Sequence, residues 1–330
     1  MEVPAMRLGS PGWPIPLCGL VLLGLATAGC ATPVWPTSIA SGAAGGVYQP
    51  VAEAIARIAR ETPGLNLPLT VESTGASVAN LQLVEHGRVQ LALAQNDIAY
   101  YAEQGKALPA FRGKALSNLR AILSLYPEYV QIVASQASGV ASVGDLRGKR
   151  VALGPEGSGT EQNALQVLEV YGLKPTDLGR AARVDTAEAA TRLGAGTLDA
   201  AFFTVGAGSG LVRDLLADGR ARLIPVPAAQ IAQLRAKQPF YWADEIPAGT
   251  YSGQPAAVST PSLRVLLVTT ANADEDAIYG LTRALLDNVP KLQAAHPAAH
   301  SVSTDTALRV VTVPLHPGAL RLYRERNIQQ

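Results

Sequence analysis

Apolar residues recur along this chain with two alternating periods. Between Val47 and Arg60 they fall at helical spacing, with Val51, Ile55, Ile58 and Ala59 on one face, whereas Ser38 to Ser41 and Leu69 to Glu72 have the length and character of strands. The alternation continues with a helix at Ser77 to Glu85, closed by Gly87, a strand at Leu91 to Ala94 and a helix around Ile98 to Gln104. Leu119 to Ala134 is too long and too apolar for one ordinary strand, carries Pro127 near its middle, and reads as a strand pair passing between two lobes. A second series follows. Strands are predicted at Arg150 to Leu153, Ala200 to Val205 and Leu223 to Val226, with helices at Thr160 to Tyr171, Ala187 to Ala195, Leu211 to Ala217 and Ala228 to Lys237. Tyr251 to Pro261 is a Pro/Gly-rich loop and Leu263 to Thr269 a β-branched strand; Asp276 to Asn288 and Lys291 to Ala295 are helices split by Pro290.

Two similar series imply an α/β chain with two similar lobes, each a mostly parallel sheet flanked by helices. The first series is short of strands, and Leu263 to Thr269 can complete its sheet. The second lobe is then an insertion reached by two crossing connections, and such a hinged pair buries a ligand in its cleft. The expected organisation is residues 38–130 for the first part of lobe 1, 131–225 for lobe 2, and 226–330 for the return through the hinge and completion of lobe 1.

Residues 1–29 read as a signal peptide. Ile15 to Gly29 is an apolar stretch of about 15 residues, interrupted by Pro16, where a membrane-spanning helix needs about 20. Arg7 precedes it and Ala26, Thr27, Ala28 and Gly29 follow, in the charged, apolar, small-residue order of a secretory address. Glu2 offsets Arg7, and a start at Met6 makes the signal more compact. Cys30 follows Thr-Ala-Gly and resembles the lipid-modified cysteine of a lipobox, with residues 30–37 as its linker; the alternative is an ordinary signal peptide cut nearby. Both place the mature chain in the periplasm, lipid-anchored through Cys30 or soluble.

Charge and composition then narrow the chemistry. With 27 Lys+Arg against 26 Asp+Glu the net charge is +1, which speaks against a nucleic-acid partner. A chain that is 48% hydrophobic and 16% charged supports a sizeable core rather than disorder. Cys18 and Cys30 are the only two cysteines, so thiolate metal sites and catalytic cysteines in the folded body are excluded.

Three small-residue loops each stand between a strand and a helix: Ser41 to Gly46, Ser73 to Ser77 and Gly154 to Thr160. In an open parallel sheet these positions lie at the strands' carboxyl ends, where helix amino termini point unpaired amides into a crevice. Each such terminus favours a negative group by about 0.3–2 kcal/mol, so several converging can hold a carboxylate without arginine. Ser73, Thr74, Ser77, Ser158 and Thr160 add hydroxyls. Any one of these loops alone reads as a tight turn and cap; three in equivalent positions point to binding.

Catalytic patterns fit poorly. Gly154 to Thr160 lacks the lysine of a phosphate-binding P-loop, Gly157-Ser158-Gly159 misses a nucleophile elbow by one residue, and Leu211 breaks the dinucleotide fingerprint after Gly206, Gly208 and Gly210. His296 and His300 are spaced as a metal pair, but Pro297 lies between them and no carboxylate triad accompanies them. No metal and no cofactor is expected.

Taken together, SGAAGGVYQP (Ser41 to Pro50), VESTGASVANLQLVEHG (Val71 to Gly87), LALAQND (Leu91 to Asp97), GKRVALGPEGSGT (Gly148 to Thr160), LDAAFFTVG (Leu198 to Gly206), IPAGTYSGQ (Ile246 to Gln254) and VPLHPGALRLYRE (Val313 to Glu325) resemble the TAXI-family solute-binding proteins of TRAP transporters. The resemblance covers nearly all of the mature chain. It implies a two-lobed, type II-like periplasmic binding-protein fold with its cleft at a two-strand hinge, no enzymatic activity, and delivery of a small anionic or zwitterionic solute to TRAP membrane permease subunits, separate or fused. Glutamate, glutamine or related dicarboxylates are the implied substrates. Residue by residue, it assigns ligand contact to Gly45, Gly46 and Tyr48 of the first loop, to Ser73, Thr74 and Gly75 of the second with Asn80 behind, to Gln95 and Asn96 of a strand-end polar cluster that Asp97 completes, and to Gly157, Ser158, Gly159 and Thr160 of the opposite lobe. Phe203 and Tyr251 are expected as apolar walls near the hinge, and His316-Pro317-Gly318 as a structural turn. Ala43 stands where many relatives have glycine, and Gln49 and Leu322 where tyrosine is common; the first two bear on ligand identity. Two alternatives stay open: a periplasmic sensing module for a signalling partner, and a secreted hydrolase using Ser158.

The lipobox reading predicts that the full-length protein fractionates with membranes and that Cys30→Ser releases it to the soluble periplasmic fraction. A Cys30→Ser protein that stays with the membrane contradicts it.

Overall fold

The computed structural model describes Met1 and residues 37–42, 46–65 and 67–329. The signal segment, Cys30, Ala43 and Gly45 lie outside the described residues. The first series folds as β1 (Thr37–Ala40), α1 (Tyr48–Glu61), β2 (Leu69–Glu72), α2 (Ser77–Glu85), β3 (Leu91–Gln95) and α3 (Asn96–Gln104). In α1 the stripe Val51, Ala52, Ile55, Ile58 and Ala59 is buried while Glu53, Arg57 and Arg60 face water, as helical periodicity requires. The apolar run from Leu119 is a departure from expectation: it forms one continuous 17-residue strand, β4 (Leu119–Ser135), not a pair. Pro127 has no amide for a ladder. It is tolerated because pairing with the partner strand slips register between Arg264 and Leu266, next to the Arg264–Pro127 pair.

The second series comprises β5 (Arg150–Ala152), α4 (Gly159–Val170), β6 (Arg180–Ala182), α5 (Thr186–Gly194), β7 (Ala200–Gly206), α6 (Gly210–Leu216), β8 (Ala221–Ile224) and α7 (Ala228–Lys237). The chain ends through β9 (Trp242–Ile246), β10 (Val258–Thr270), α8 (Glu275–Asp287), α9 (Val289–Gln293) and α10 (Pro317–Glu325). Neither β6 nor β9 is predicted from the sequence. Both are short edge strands, and β9 leaves Trp242, Ala243 and Glu245 exposed, so no apolar run announces them.

All ten strands join one mixed sheet in the order β2-β1-β3-β10-β4-β7-β5-β6, with β8 on β4 and β9 on β10. β2, β1 and β3 form one parallel set and β7, β5 and β6 another. The path between the sets runs through the antiparallel pair β4 and β10. β4 pairs with β10 from Leu119 to Tyr129 and with β7 from Glu128 to Ala134, while β10 pairs with β9 from Val258 to Ser262 and with β3 from Val265 to Val268. The chain therefore enters the second half on one long strand and returns on the other. β3 is fully buried and β4 nearly so, as expected of central strands with helices on both faces. His316 sits at the start of α10, where its Nδ1 accepts the Gly318 amide at 3.2 Å, and Leu322 is buried in the core.

Candidate functional site

The carboxyl ends of β1, β2 and β3 present Tyr48, Ser77 and Gln95 toward the crossing pair, and the amino terminus of α4 faces them from the second half. Tyr48 opens α1 and is buried; its hydroxyl lies 3.1 Å from Ser77 Oγ at the start of α2 and donates to Glu128 Oε2 at 3.4 Å. Ser77 Oγ also accepts the Gln95 amide at 3.0 Å. The Gln95 side chain reaches across: a Cβ on Gly159 would lie 2.1 Å from Gln95 Oε1 and 3.2 Å from Ile98 Cδ1. A side chain at 159 would push the Gln95 side chain aside. A second bridge runs alongside, in which Asn163 of α4 donates to Asp97 Oδ2 at 2.8 Å and accepts from Thr204 Oγ1 at 2.9 Å, and Gln166 donates to Tyr101 at 2.5 Å. The halves are in direct contact here.

Several expected ligand-contact groups are engaged in building the loops. Ser73 Oγ donates to Gly42 O, Thr74 Oγ1 to Ser41 O, and Asn80 Nδ2 to Ser41 O and Leu93 O, which ties the first two loops to β3. Gly46, Ser73 and Gly75 are exposed and Thr74 is half-buried. Asn96 is wholly buried, with its amide bonded to Phe240 O and Val310 O and its carbonyl to the Arg264 amide. Ser158 Oγ accepts the Glu161 amide and so caps α4, and the Gly157 amide donates to Glu161 Oε2, whose carboxylate pairs with Arg183. Gly154 has φ 103°, and a Cβ there would lie 2.8 Å from Thr160 Cβ, so this loop needs glycine to turn into α4. Phe203 and Tyr251 are buried in one apolar cluster with Tyr129 and Val133, and Tyr251 OH donates to Gln131 Oε1 at 2.8 Å.

Of the expected contacts, the structure brings together Tyr48, Gln95 and Gly159. Among the described residues no hydrogen bond reaches the amides of Gly159 and Thr160, the first two of α4. Sequence reasoning passed over Glu128 and the strained Ala76. Ala76 adopts φ 70° and ψ −153°, a conformation otherwise almost confined to glycine, directly before the hydroxyl of Ser77. The signal for Glu128 was available: a carboxylate inside the apolar run of β4 requires a reason to be there. Two open cavities, about 410 Å³ between the end of α1 and α8 and about 300 Å³ beside α5 and α6, lie away from these loops.

Residues 39–326 match the model of the NMT1-like family. Among solved structures, the chain resembles PhnD1 from Prochlorococcus marinus in complex with methylphosphonate, at 11% identity and TM-score 0.56, over 89% of this chain and 99% of that one. It also resembles the periplasmic binding protein BugD, at 14% identity and TM-score 0.54, over 89% of this chain and 93% of that one. These likenesses establish the periplasmic binding-protein fold.

Burial controls the site's electrostatics. It raises Glu128 from 4.5 to about 8; the charge of Asp97 adds to the shift and the Tyr48 hydroxyl opposes it. Asp97 rises from 3.8 to about 7 by burial, opposed by its hydrogen bonds from Asn163 and Ile98. An acid whose folded value is raised binds more protons folded than unfolded. Stability from these two groups is therefore full below about pH 4 and lost as pH rises to about 8. The expected outcome in urea titrations is a wild-type stability that declines across this window. Glu128→Gln and Asp97→Asn should each remove up to about 1.4 kcal/mol per pH unit of that slope. Unchanged slopes in both variants contradict the burial of charge described here.

Proposed function

Because the chain belongs to the NMT1-like family, we propose that it is the extracytoplasmic solute-binding protein of a TRAP-type transporter of the TAXI group. It captures a small organic acid or amino acid, such as glutamate, glutamine or a related dicarboxylate, and delivers it to membrane permease subunits. The protein acts in the periplasm, held to the membrane by lipid at Cys30 if the lipobox is used. Among the described residues no helix is long and apolar enough to cross a membrane.

One observation carries this reading: the strand-end loops of both halves converge at Gln95 and Gly159 across a crossing made of two long strands. A solute touching both sides favours the closed arrangement by its differential affinity for it. Bending of β4 and β10 near Tyr129 and Ser262, where the strands change neighbours, is the hinge motion we assign to capture and release. Binding rather than catalysis is supported by the use of Ser158, whose hydroxyl caps a helix and among the described residues has no hydrogen-bonded base.

The test is a thermal-shift screen of amino acids and dicarboxylates on the protein beginning after Cys30, followed by small-angle scattering. A true solute at about 100 times its Kd stabilises by about 2.7 kcal/mol and lowers the radius of gyration. Gly159→Ala, whose methyl would strike Gln95, should lower affinity by about tenfold or more without abolishing folding. Unchanged affinity in that variant, or a screen in which nothing binds, contradicts the reading.

A further inference from the structure

We propose that this cleft selects solutes bearing an ammonium group, with Glu128 as the counter-charge and Gln95 and the first amides of α4 as the seat of the solute's carboxylate. The inference rests on the solute-binding reading and narrows it to amino acids over acids that lack an amine.

Three polar groups in the cleft lack the partners their chemistry needs. The Glu128 carboxyl is 4% exposed, and among the described residues its one hydrogen bond is the long contact from Tyr48. Gln95 is 6% exposed and among the described residues its Nε2 has no hydrogen-bond partner; the Tyr126 hydroxyl, two residues before Glu128 on β4, is buried and has none among them either. A buried polar group left unpaired is costly, and a buried carboxylate more so. The titratable groups around Glu128 are Tyr48 from α1, Asp97 from α3 and Tyr126 on its own strand; the two phenols are neutral, Tyr48 offers one long hydrogen bond, Asp97 adds negative charge, and none of the three supplies a positive charge. Arg264, the one buried arginine among the described residues, sits on β10 but turns to Ser124 Oγ and Leu125 O. Near neutral pH Glu128 therefore either keeps its proton, in line with its raised value of about 8, or gives it up and pairs with a cationic donor from outside the chain.

The other end of the cleft needs the opposite. Among the described residues Gln95 Nε2 is a donor without an acceptor, while the Oε1 of the same side-chain amide abuts Gly159, whose backbone amide and that of Thr160 open α4. A helix amino terminus favours an anion, and an unpartnered buried amide beside it supplies a directional donor to the same group. A donor-rich end facing an acid-lined end matches a zwitterion. A dicarboxylate without an amine brings no positive charge to this end, so its second carboxylate is accepted only while the acids there keep their protons, whereas an ammonium group pairs with the ionised carboxylate.

The test measures affinities by calorimetry at pH 7.5 for matched pairs that differ in the amine: L-glutamate and 2-oxoglutarate, L-aspartate and L-malate, L-leucine and its 2-hydroxy analogue. The amine-bearing member of at least one pair should bind about tenfold or more tighter than its partner, since a site built around a missing donor rejects analogues that lack it. In Glu128→Gln, verified as folded by its melting transition, that preference should fall to within about threefold. A wild-type protein that binds an amine-free member equally or more tightly overturns the assignment, whether or not the variant folds. A folded Glu128→Gln that keeps its full preference overturns it too. A panel in which no compound binds overturns the solute-binding reading and this inference with it.

Discussion

A carboxyl group removed from water without a counter-charge either takes up a proton or acquires a cation. Glu128 is in that position because β4 carries it into the interior at the point where the sheet passes from one parallel set to the other. The same crossing directs the strand ends of the first set toward the amino terminus of α4. Tyr48 reaches this carboxyl, Ser77 links Tyr48 to the Gln95 backbone amide, and the Gln95 side chain abuts Gly159, a chain of contacts set by strand order although the sequence separates its members widely. With Asp97 buried nearby, closure confines two acids in one small volume.

That confinement links conformation to ligand. In the capture motion we propose, closure of an empty cleft desolvates both acids, so the open arrangement gains as pH rises above the values at which they hold their protons. A cation beside Glu128 removes this cost and leaves the apposition of Gln95 and Gly159 to hold the halves together. The loops hold little spare hydrogen-bonding capacity of their own. Ser73, Thr74 and Asn80 knit the first two loops to β3, and Glu161 takes the Gly157 amide. What remains for a solute is a short, directional set of groups, placed by a scaffold whose own polar atoms are largely engaged. The strained backbone at Ala76 belongs to that placement, since it sets Ser77 between Tyr48 and Gln95.

Much of this was legible in the sequence because periodicity reports burial. The amphipathic stripe of α1, the glycine stop after α2 and the strand and helix at either side of each small-residue loop all follow from local pattern. β6 and β9 were not legible, because edge strands need no apolar run. Nor was the continuity of β4, because Pro127 suggests a break and the register slip that accommodates it belongs to the partner strand. Site chemistry was harder to read. Loop composition marked the strand ends where the two halves meet but could not show that the Ser73 and Thr74 hydroxyls are engaged in building the loops. Asn96 and Phe203 carry the right chemistry at the right chain position, yet the fold packs them within the interior. Glu128 was missed because attention to loops passes over a strand, although a lone acid in a long apolar run is itself the evidence.

A crystal structure of the mature protein with the tightest-binding amino acid tests the account most directly. The account predicts one solute molecule between the halves, its nitrogen within about 3 Å of the Glu128 carboxylate and its carboxylate on Gln95 and the first amides of α4. A solute bound in the groove between α1 and α8, or one whose carboxylate faces Glu128, contradicts it.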